Sequence, residues 1–435
     1  MKPKNDIEFT FPVGYLRFHE DQLFNYQLNR PYSLGYARSE DLKEAGKRIG
    51  TFPDWKAEMF RQAKVAISEG RLMNAAFYYR AAEFYTFPDD PDKDRFYEQF
   101  SELFYQVFEA YGIERIQIPY GVARLPAIAI GPAGSAQGTL LLHGGYDSFI
   151  EEFFSLMWSF AAFGFRVIGF DGPGQGGARR HCGLPLDFRW EKPVAAVLDH
   201  LQLSDVTLIG LSMGGYFALR AAAFEPRVKR VIASGHAYDY RRVARAPGAA
   251  ILMFFHDHLR GFTNNLARWK IRKGGMEAWN IAHLMHVLAL DEPMAALEFA
   301  MQLNEENLHS DRVKQDVLIL ASTEDHFIPF RLHAKQVRLL TAAKSVTERV
   351  FTKEEHAQNH CQIGNLGLSL RVMRVWIGEK RAERDSSRRV NQSIRNQDQG
   401  VTPRRGYNNG IQRSALRSSA DARRSAEFPA MFWLS

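Results

Sequence analysis

Ser212 lies in Gly210-Leu211-Ser212-Met213-Gly214-Gly215, after the apolar run Val206-Thr207-Leu208-Ile209 and before an Ala-rich helical stretch at 216–224. The order reads as strand, tight turn and helix, with the serine at the apex. Glycines stand where the backbone passes too close to neighbouring chain for a Cβ, and the hydroxyl is pushed out above the sheet. A strand that feeds straight into a helix commits the chain to an alternating α/β architecture. G-x-S-x-G is short enough to occur by accident in a chain with 33 glycines. The strand before it and the helix after it select the nucleophile reading over a structural turn.

A serine hydroxyl is a poor nucleophile at neutral pH, so it needs a base, and the base needs an acid that fixes its tautomer. The expected chain order is serine, acid, histidine. Asp316-Val317-Leu318-Ile319-Leu320-Ala321-Ser322 reads as a buried parallel strand, and Thr323-Glu324-Asp325-His326-Phe327-Ile328-Pro329 as the polar loop leaving it. Asp325 is the expected acid, with Glu324 as its competitor. After the last strand, residues 348–352, two histidines remain, His356 and His360. His360 is favoured because it stands just before the final amphipathic helix, from which its ring can swing back over the sheet; His356 fits a solvent-exposed loop position.

An oxyanion hole needs two backbone N–H groups aimed where the carbonyl oxygen gains charge. Met213, the residue after the serine, supplies one. The strand at 138–143 followed by Gly144-Gly145-Tyr146-Asp147-Ser148 supplies the other, from Gly145 or, next, Tyr146.

With these residues in place, the segment from about 113 to 378 resembles the α/β-hydrolases. Within that superfamily the chain is similar to the group of 2,6-dihydroxypseudooxynicotine hydrolases, fungal yellowish-green pigment hydrolases that shorten a polyketide, and fermentation-respiration switch esterase-like proteins. The narrower match rests on Ala75-Ala76-Phe77-Tyr78-Tyr79-Arg80-Ala81-Ala82-Glu83-Phe84-Tyr85, Phe170-Asp171-Gly172-Pro173-Gly174-Gln175-Gly176, Glu225-Pro226-Arg227-Val228 and His360-Cys361. The resemblance implies an α/β-hydrolase fold: a mostly parallel eight-stranded sheet with an N-terminal helical domain and a helical cap insertion. The expected divisions are 1–112 for the helical domain, 113–235 and 311–378 for the core, 236–310 for the cap and 379–435 for a basic tail.

Apolar residues at three- and four-residue spacing, Phe96, Phe100, Leu103, Phe104, Val107, Phe108 and Tyr111, predict a helix ended by Gly112, and Met59, Phe60, Ala63, Ala66 and Ile67 form a second stripe. These aromatics are read as packing. A hairpin around Gly121 and six further strands follow. Gly172-Pro173-Gly174-Gln175-Gly176-Gly177 has the wrong spacing for a dinucleotide loop and no acidic ribose partner.

The net charge of +7 invites a nucleic-acid reading, but residues 379–435 hold 12 Lys and Arg against 6 Asp and Glu, placing +6 in that stretch. It is rich in Arg, Ser, Asn and Gln with little periodicity, and disorder is expected there. His256-Asp257-His258 and the pair His283 and His286 tempt a metal reading. Adjacent-but-one histidines point apart on a helix, and the second pair lacks a nearby carboxylate.

The two cysteines make no disulfide framework, and the polar, charged start of the chain offers no signal-type apolar run. A cytoplasmic enzyme without cofactor or metal is expected, acting on a small-molecule substrate with neither nucleic acid nor membrane as partner; a homodimer is left open. The resemblance favours hydrolysis of a carbon–carbon bond in an aromatic or polyketide-like ketone. Ester hydrolysis is the alternative, and a non-catalytic binding protein on the same scaffold is a third reading.

Overall fold

Near-continuous apolar runs, the pattern of strands covered on both faces, recur from residue 139 onward. The structure, a computed structural model, describes residues 9–132, 134–243 and 258–398. Its strands are β1 Glu114–Tyr120, β2 Ala123–Ile130, β3 Gly138–His143, β4 Phe165–Phe170, β5 Val206–Leu211, β6 Val228–Ser234, β7 Asp316–Ser322 and β8 Ser345–Phe351. They form one eight-stranded sheet in the order β1-β2-β4-β3-β5-β6-β7-β8. The β1/β2 and β2/β4 pairs are antiparallel and the remaining pairs parallel. All six residues of β5 are buried, and in an open parallel sheet the functional loops gather outside the carboxyl ends of such strands.

Alternation along each strand sends side chains to opposite faces, which divides the core in two. Leu140, Leu142, Ile209 and Ile232 face one apolar cluster, while Leu141, Leu208, Val231 and Ala233 face the other with Tyr216 and Phe217 of the helix Met213–Phe224. The first cluster also contains the N-terminal helices α1 Gln22–Ser33, α2 Ser39–Gly46, α3 Phe52–Ser68, α4 Leu72–Tyr85 and α5 Asp92–Phe108. The N-terminal block therefore shares a core with the sheet. Its helices start on local signals: Asp21 accepts from the N–H groups of Leu23 and Phe24, and Thr51 with Asp54 closes a capping box. The expected stripe on α5 buries Phe96, Phe100, Phe104 and Phe108, and Gly112 adopts the left-handed conformation at φ 76°.

Residues 236–310 contribute the helices Arg260–Lys273, Met276–Leu288, Pro293–Met301 and Glu305–Leu308, lying between β6 and β7 in the chain. One expectation needs correction. The final helix does not stop near Gly378 but runs from Leu366 to Asp398, so residues 379–398 are helical. Gly378 has no positive φ, and the residues after it, Glu379-Lys380-Arg381-Ala382-Glu383-Arg384, are strong helix formers. Arg384 pairs with Asp205, and Lys380 with Glu383 at 3.1 Å. Residues 399–435 lie outside the described residues.

Candidate active site

β5 delivers the backbone into a turn that only a glycine-flanked residue can make. Ser212 sits at φ 59° and ψ −134°, a strained conformation for a residue with a Cβ. Its N–H donates to the Ser234 carbonyl at 2.8 Å, which ties the turn to the end of β6. A Cβ on Gly210 would lie 2.0 Å from the Gly214 carbonyl oxygen, and one on Gly145 would lie 2.8 Å from the Met213 nitrogen. Both glycines are thus required by close backbone approach. The Met213 N–H, at the first position of its helix, has no intrahelical acceptor and carries the positive end of the helix dipole.

The loops after β7 and β8 bring the other two expected residues to this serine. His360 Nε2 lies 2.9 Å from Ser212 Oγ, and His360 Nδ1 lies 2.7 Å from Asp325 Oδ2. The second oxygen of Asp325, Oδ1, accepts from the Phe327 N–H at 2.9 Å and the Ile328 N–H at 2.8 Å, which fixes the carboxylate plane. A carboxylate can only accept, so Nδ1 carries the proton and Nε2 is left to accept from the serine. Burial acts against charge on both groups. For Asp325 it is outweighed by the neighbouring His360, which holds its carboxyl below the usual range. For His360 it is outweighed by Asp325, which raises the imidazole well above its ordinary value. The competitors make no contact with this line: Glu324 is exposed on the cavity wall, and His356 is exposed away from it.

The loop after β3 lies against the serine turn. Gln175, from the glycine-rich loop after β4, donates its amide to the carbonyls of Gly144 at 2.8 Å and Gly145 at 2.6 Å. His143 Nδ1 reaches the Gly144 carbonyl at 3.0 Å. Since N–H and C=O point oppositely across a trans peptide, anchoring these two carbonyls turns the N–H groups of Gly145 and Tyr146 the other way.

A cavity of about 1140 Å³ opens over Ser212. Its wall draws on regions far apart in the chain, including Leu366, Leu370 and Met373 of the final helix. Tyr26, Arg30, Phe84 and Tyr85 belong to the N-terminal helices, Tyr240, Met276 and Trp279 to the insertion, and Tyr146, Phe327 and His360 to loops of the sheet. Trp279 Nε1 donates to the Phe84 carbonyl at 3.1 Å, and the two rings stack at 5.3 Å, joining insertion to helix α4.

The tempting histidines of the insertion part company. His256 and Asp257 lie outside the described residues; His283 stacks on Trp279 with ring centroids 4.8 Å apart, and burial drives its pKa well down. Among the described residues no group of three or more His, Cys, Asp or Glu is placed to hold a metal. Cys182 and Cys361 are both free thiols. No helix among the described residues is long and apolar enough to cross a membrane.

Residues 139–357, half of the chain, match the model of the alpha/beta hydrolase family. The chain belongs to that family. It is similar to Hydrolase acrC of Aspergillus aculeatus, 27% identical over 83% of this chain and 91% of that protein. It is also similar to 20-hydroxy-prefusarin hydrolase FUS2 of Gibberella moniliformis, 26% identical over 70% of this chain and 79% of that one. Among solved structures, 2,6-dihydroxy-pseudo-oxynicotine hydrolase superposes with a TM-score of 0.59 at 22% identity, covering 81% of this chain and 94% of that chain. That likeness is one of fold.

For this α/β hydrolase, residue patterns missed several side chains around the serine. Gln362 Nε2 donates to Ser322 Oγ at 3.1 Å, while its Oε1 accepts from Ser234 Oγ and Ser369 Oγ, each at 3.0 Å. One buried amide thus pins the histidine loop to β6, β7 and the final helix. Its only sequence signal is adjacency to His360-Cys361. Gln175 was visible inside the glycine-rich loop but had no assigned role. Tyr26 carried no local signal, and Phe84 and Tyr85 stood out only as the end of the 75–85 motif, because their place in the wall follows from how the N-terminal helices dock.

Proposed function

We propose that this α/β hydrolase is a serine hydrolase that works through an acyl-enzyme and cleaves the carbon–carbon bond beside a carbonyl in an aromatic or polyketide-like ketone. The observation that carries the reading is the hydrogen-bonded line Ser212–His360–Asp325 opening into a large aromatic-walled cavity. Ligand cavities commonly span about 300–1,000 Å³, so this one has room for both halves of a bulky substrate.

In the proposed reaction Ser212 Oγ attacks the carbonyl carbon as its proton passes to His360 Nε2, and the oxyanion is held by the N–H groups of Met213 and Gly145, with Tyr146 next to them. As the tetrahedral intermediate collapses, the carbon–carbon bond breaks and its electron pair leaves on the departing carbon as an enolate or a stabilised aryl carbanion. That carbon takes the proton from His360. Water then attacks the acyl-serine with His360 as base, releasing a carboxylic acid and freeing Ser212. The balance is ketone plus water giving acid plus the protonated leaving half, with no cofactor.

Support for a carbon–carbon bond over an ester comes from what the resemblance carried by the motifs at 75–85, 170–176, 225–228 and 360–361 implies. The same serine chemistry serves an aryl or acyl ester with an oxygen leaving group, which is the second reading. Incubating the protein with a fluorophosphonate and locating the adduct by mass tests the nucleophile; an unlabelled, folded protein leaves only the binding-protein reading. A paired panel of aryl 1,3-diketones and aryl esters of equal size, with products weighed by mass spectrometry, tests the bond. Turnover confined to the esters overturns the carbon–carbon assignment.

A further inference from the structure

Cleaving a carbon–carbon bond expels an electron pair from a poor leaving group. In a 1,3-dicarbonyl that pair is delocalised onto the second carbonyl oxygen as an enolate. The oxyanion hole serves the attacked carbonyl, so the second oxygen needs a cation or donors of its own, and inside a dry cavity such a group acts far more strongly than in water.

Two cationic side chains of Lys or Arg line the cavity, and they differ. Arg331 is exposed and donates both Nη groups to the carbonyls of Arg242 and Val243, each at 3.0 Å. Arg30, in the last turn of α1, is the buried one, its side chain 14% exposed. Its Nη1 donates to Gln27 Oε1 at 3.1 Å and its Nη2 to Glu152 Oε2 at 2.9 Å. A guanidinium carries five N–H donors, and the others have no acceptor among the described residues.

The carboxylate opposite Arg30 is shared. Glu152 turns its other oxygen to Arg80 at 2.8 Å, so one negative charge stands between two guanidiniums. Behind them Glu83 takes Arg80, Lys93 and Arg180 together, and Arg180 also reaches Asp94. The network thus holds four cations, Arg30, Arg80, Lys93 and Arg180, against three carboxylates, Glu83, Glu152 and Asp94. Its cavity end is Arg30. Asp147 also stands on the cavity wall and interacts with Arg30 through space, but forms no ion pair with it among the described residues. Together with Glu324 and Asp325, which also line the cavity, it opposes an incoming anion.

We propose that Arg30 is the anion-binding group of this cavity and takes the enolate oxygen of the leaving half of a 1,3-dicarbonyl substrate. The proposal rests on the carbon–carbon reading above. It assigns the N-terminal helices a direct part in the chemistry: helix α1 supplies the counter-charge for the leaving group, while the sheet supplies nucleophile, base and oxyanion hole.

The test is a titration that needs no turnover, so its failure is separable from that of the hydrolase reading. Full-length Ser212→Ala protein is mixed with benzoylacetone, whose enolate absorbs at longer wavelength than its neutral form, and the bound diketone is titrated against pH. Arg30 is expected to lower the pKa of the bound diketone by about one unit or more relative to the free compound. Adding Arg30→Met should abolish the shift, Arg30→Lys should keep part of it, and Asp147→Asn should enlarge it. Thermal melts check that each variant is folded, and the Lys variant decides should the Met variant not fold. A bound diketone that titrates like the free one, a shift that survives Arg30→Met or is absent only in an unfolded variant while Arg30→Lys leaves it unaltered in size, or a failure to bind at all overturns the assignment.

Discussion

Tyr26 donates its hydroxyl to the backbone carbonyl of His360 at 3.3 Å, across 334 positions of sequence. Its ring also meets His326 at 4.7 Å and Phe327 at 5.3 Å, both neighbours of Asp325. One residue of the first helix therefore braces the loops that carry both partners of Ser212. Tyr26→Phe keeps the ring contacts and removes the hydrogen bond. Stability should fall by about 1 kcal/mol in a urea melt, with kcat reduced less than tenfold.

Ser212→Ala removes the proposed nucleophile while taking almost nothing from the packing around the turn. Turnover should drop by roughly 10³-fold or more, with an unchanged melting temperature. Activity within tenfold of the native chain would take Ser212 out of the reaction.

The base must be neutral to accept the serine proton. Because Asp325 raises the His360 pKa against the opposing effect of burial, the ring stays protonated to higher pH than a free histidine. The acid limb of kcat/KM should accordingly have its midpoint above 6.5, with activity falling as pH drops through it. Asp325→Asn deletes the charge responsible. Its midpoint should move down, while kcat falls by about 10⁴-fold because the tautomer is no longer fixed. His360→Ala should be inactive, and His356→Ala should stay within a few-fold of the native rate.

Gln175 is expected to matter to the rate through the two carbonyls it holds. Gln175→Ala frees the Gly144 and Gly145 peptides to rotate, and kcat should fall by roughly 10- to 100-fold with a smaller change in KM. Equal loss in both parameters would indicate a general collapse of the loop instead.

Ending the chain after Gly378 removes the Arg384–Asp205 pair and a stretch of the final helix, whereas ending it after Asp398 keeps both. The shorter chain should melt several degrees lower, and the longer one should match the full chain. Differential scanning calorimetry separates the two.

Much of this was legible in the residues because the informative signals are local. Glycine at 210 announces a turn whose steric demand, the approach of the Gly214 carbonyl, arises within the turn itself, and an apolar run such as Val317-Leu318-Ile319-Leu320 announces a buried parallel strand wherever it lies. The eight strands and the positions of Ser212, Asp325 and His360 at strand ends followed from such signals. The end of the final helix did not, since Gly378 stops a helix only by adopting a left-handed conformation that it does not take here. Gln362 and Tyr26 were invisible for a different reason. Each acts through partners far away in sequence, such as Ser234 and Ser322 for the amide and the His360 carbonyl for the phenol, and no periodicity marks such a contact.

The shared core also sets an order of events during synthesis. The helices between residues 22 and 108 leave the ribosome before the sheet does, yet Phe18, Phe24 and Phe108 bury in the same cluster as Leu370, Met373, Trp376 and Ile377, which are made more than two hundred residues later. Gly14 and Gly364, hydrogen-bonded at 2.7 Å, close that loop of chain. The newborn helical block must hold an unmatched apolar face until residues 370–377 have been made, so its exposure to chaperones, and to aggregation, lasts through the synthesis of the whole sheet.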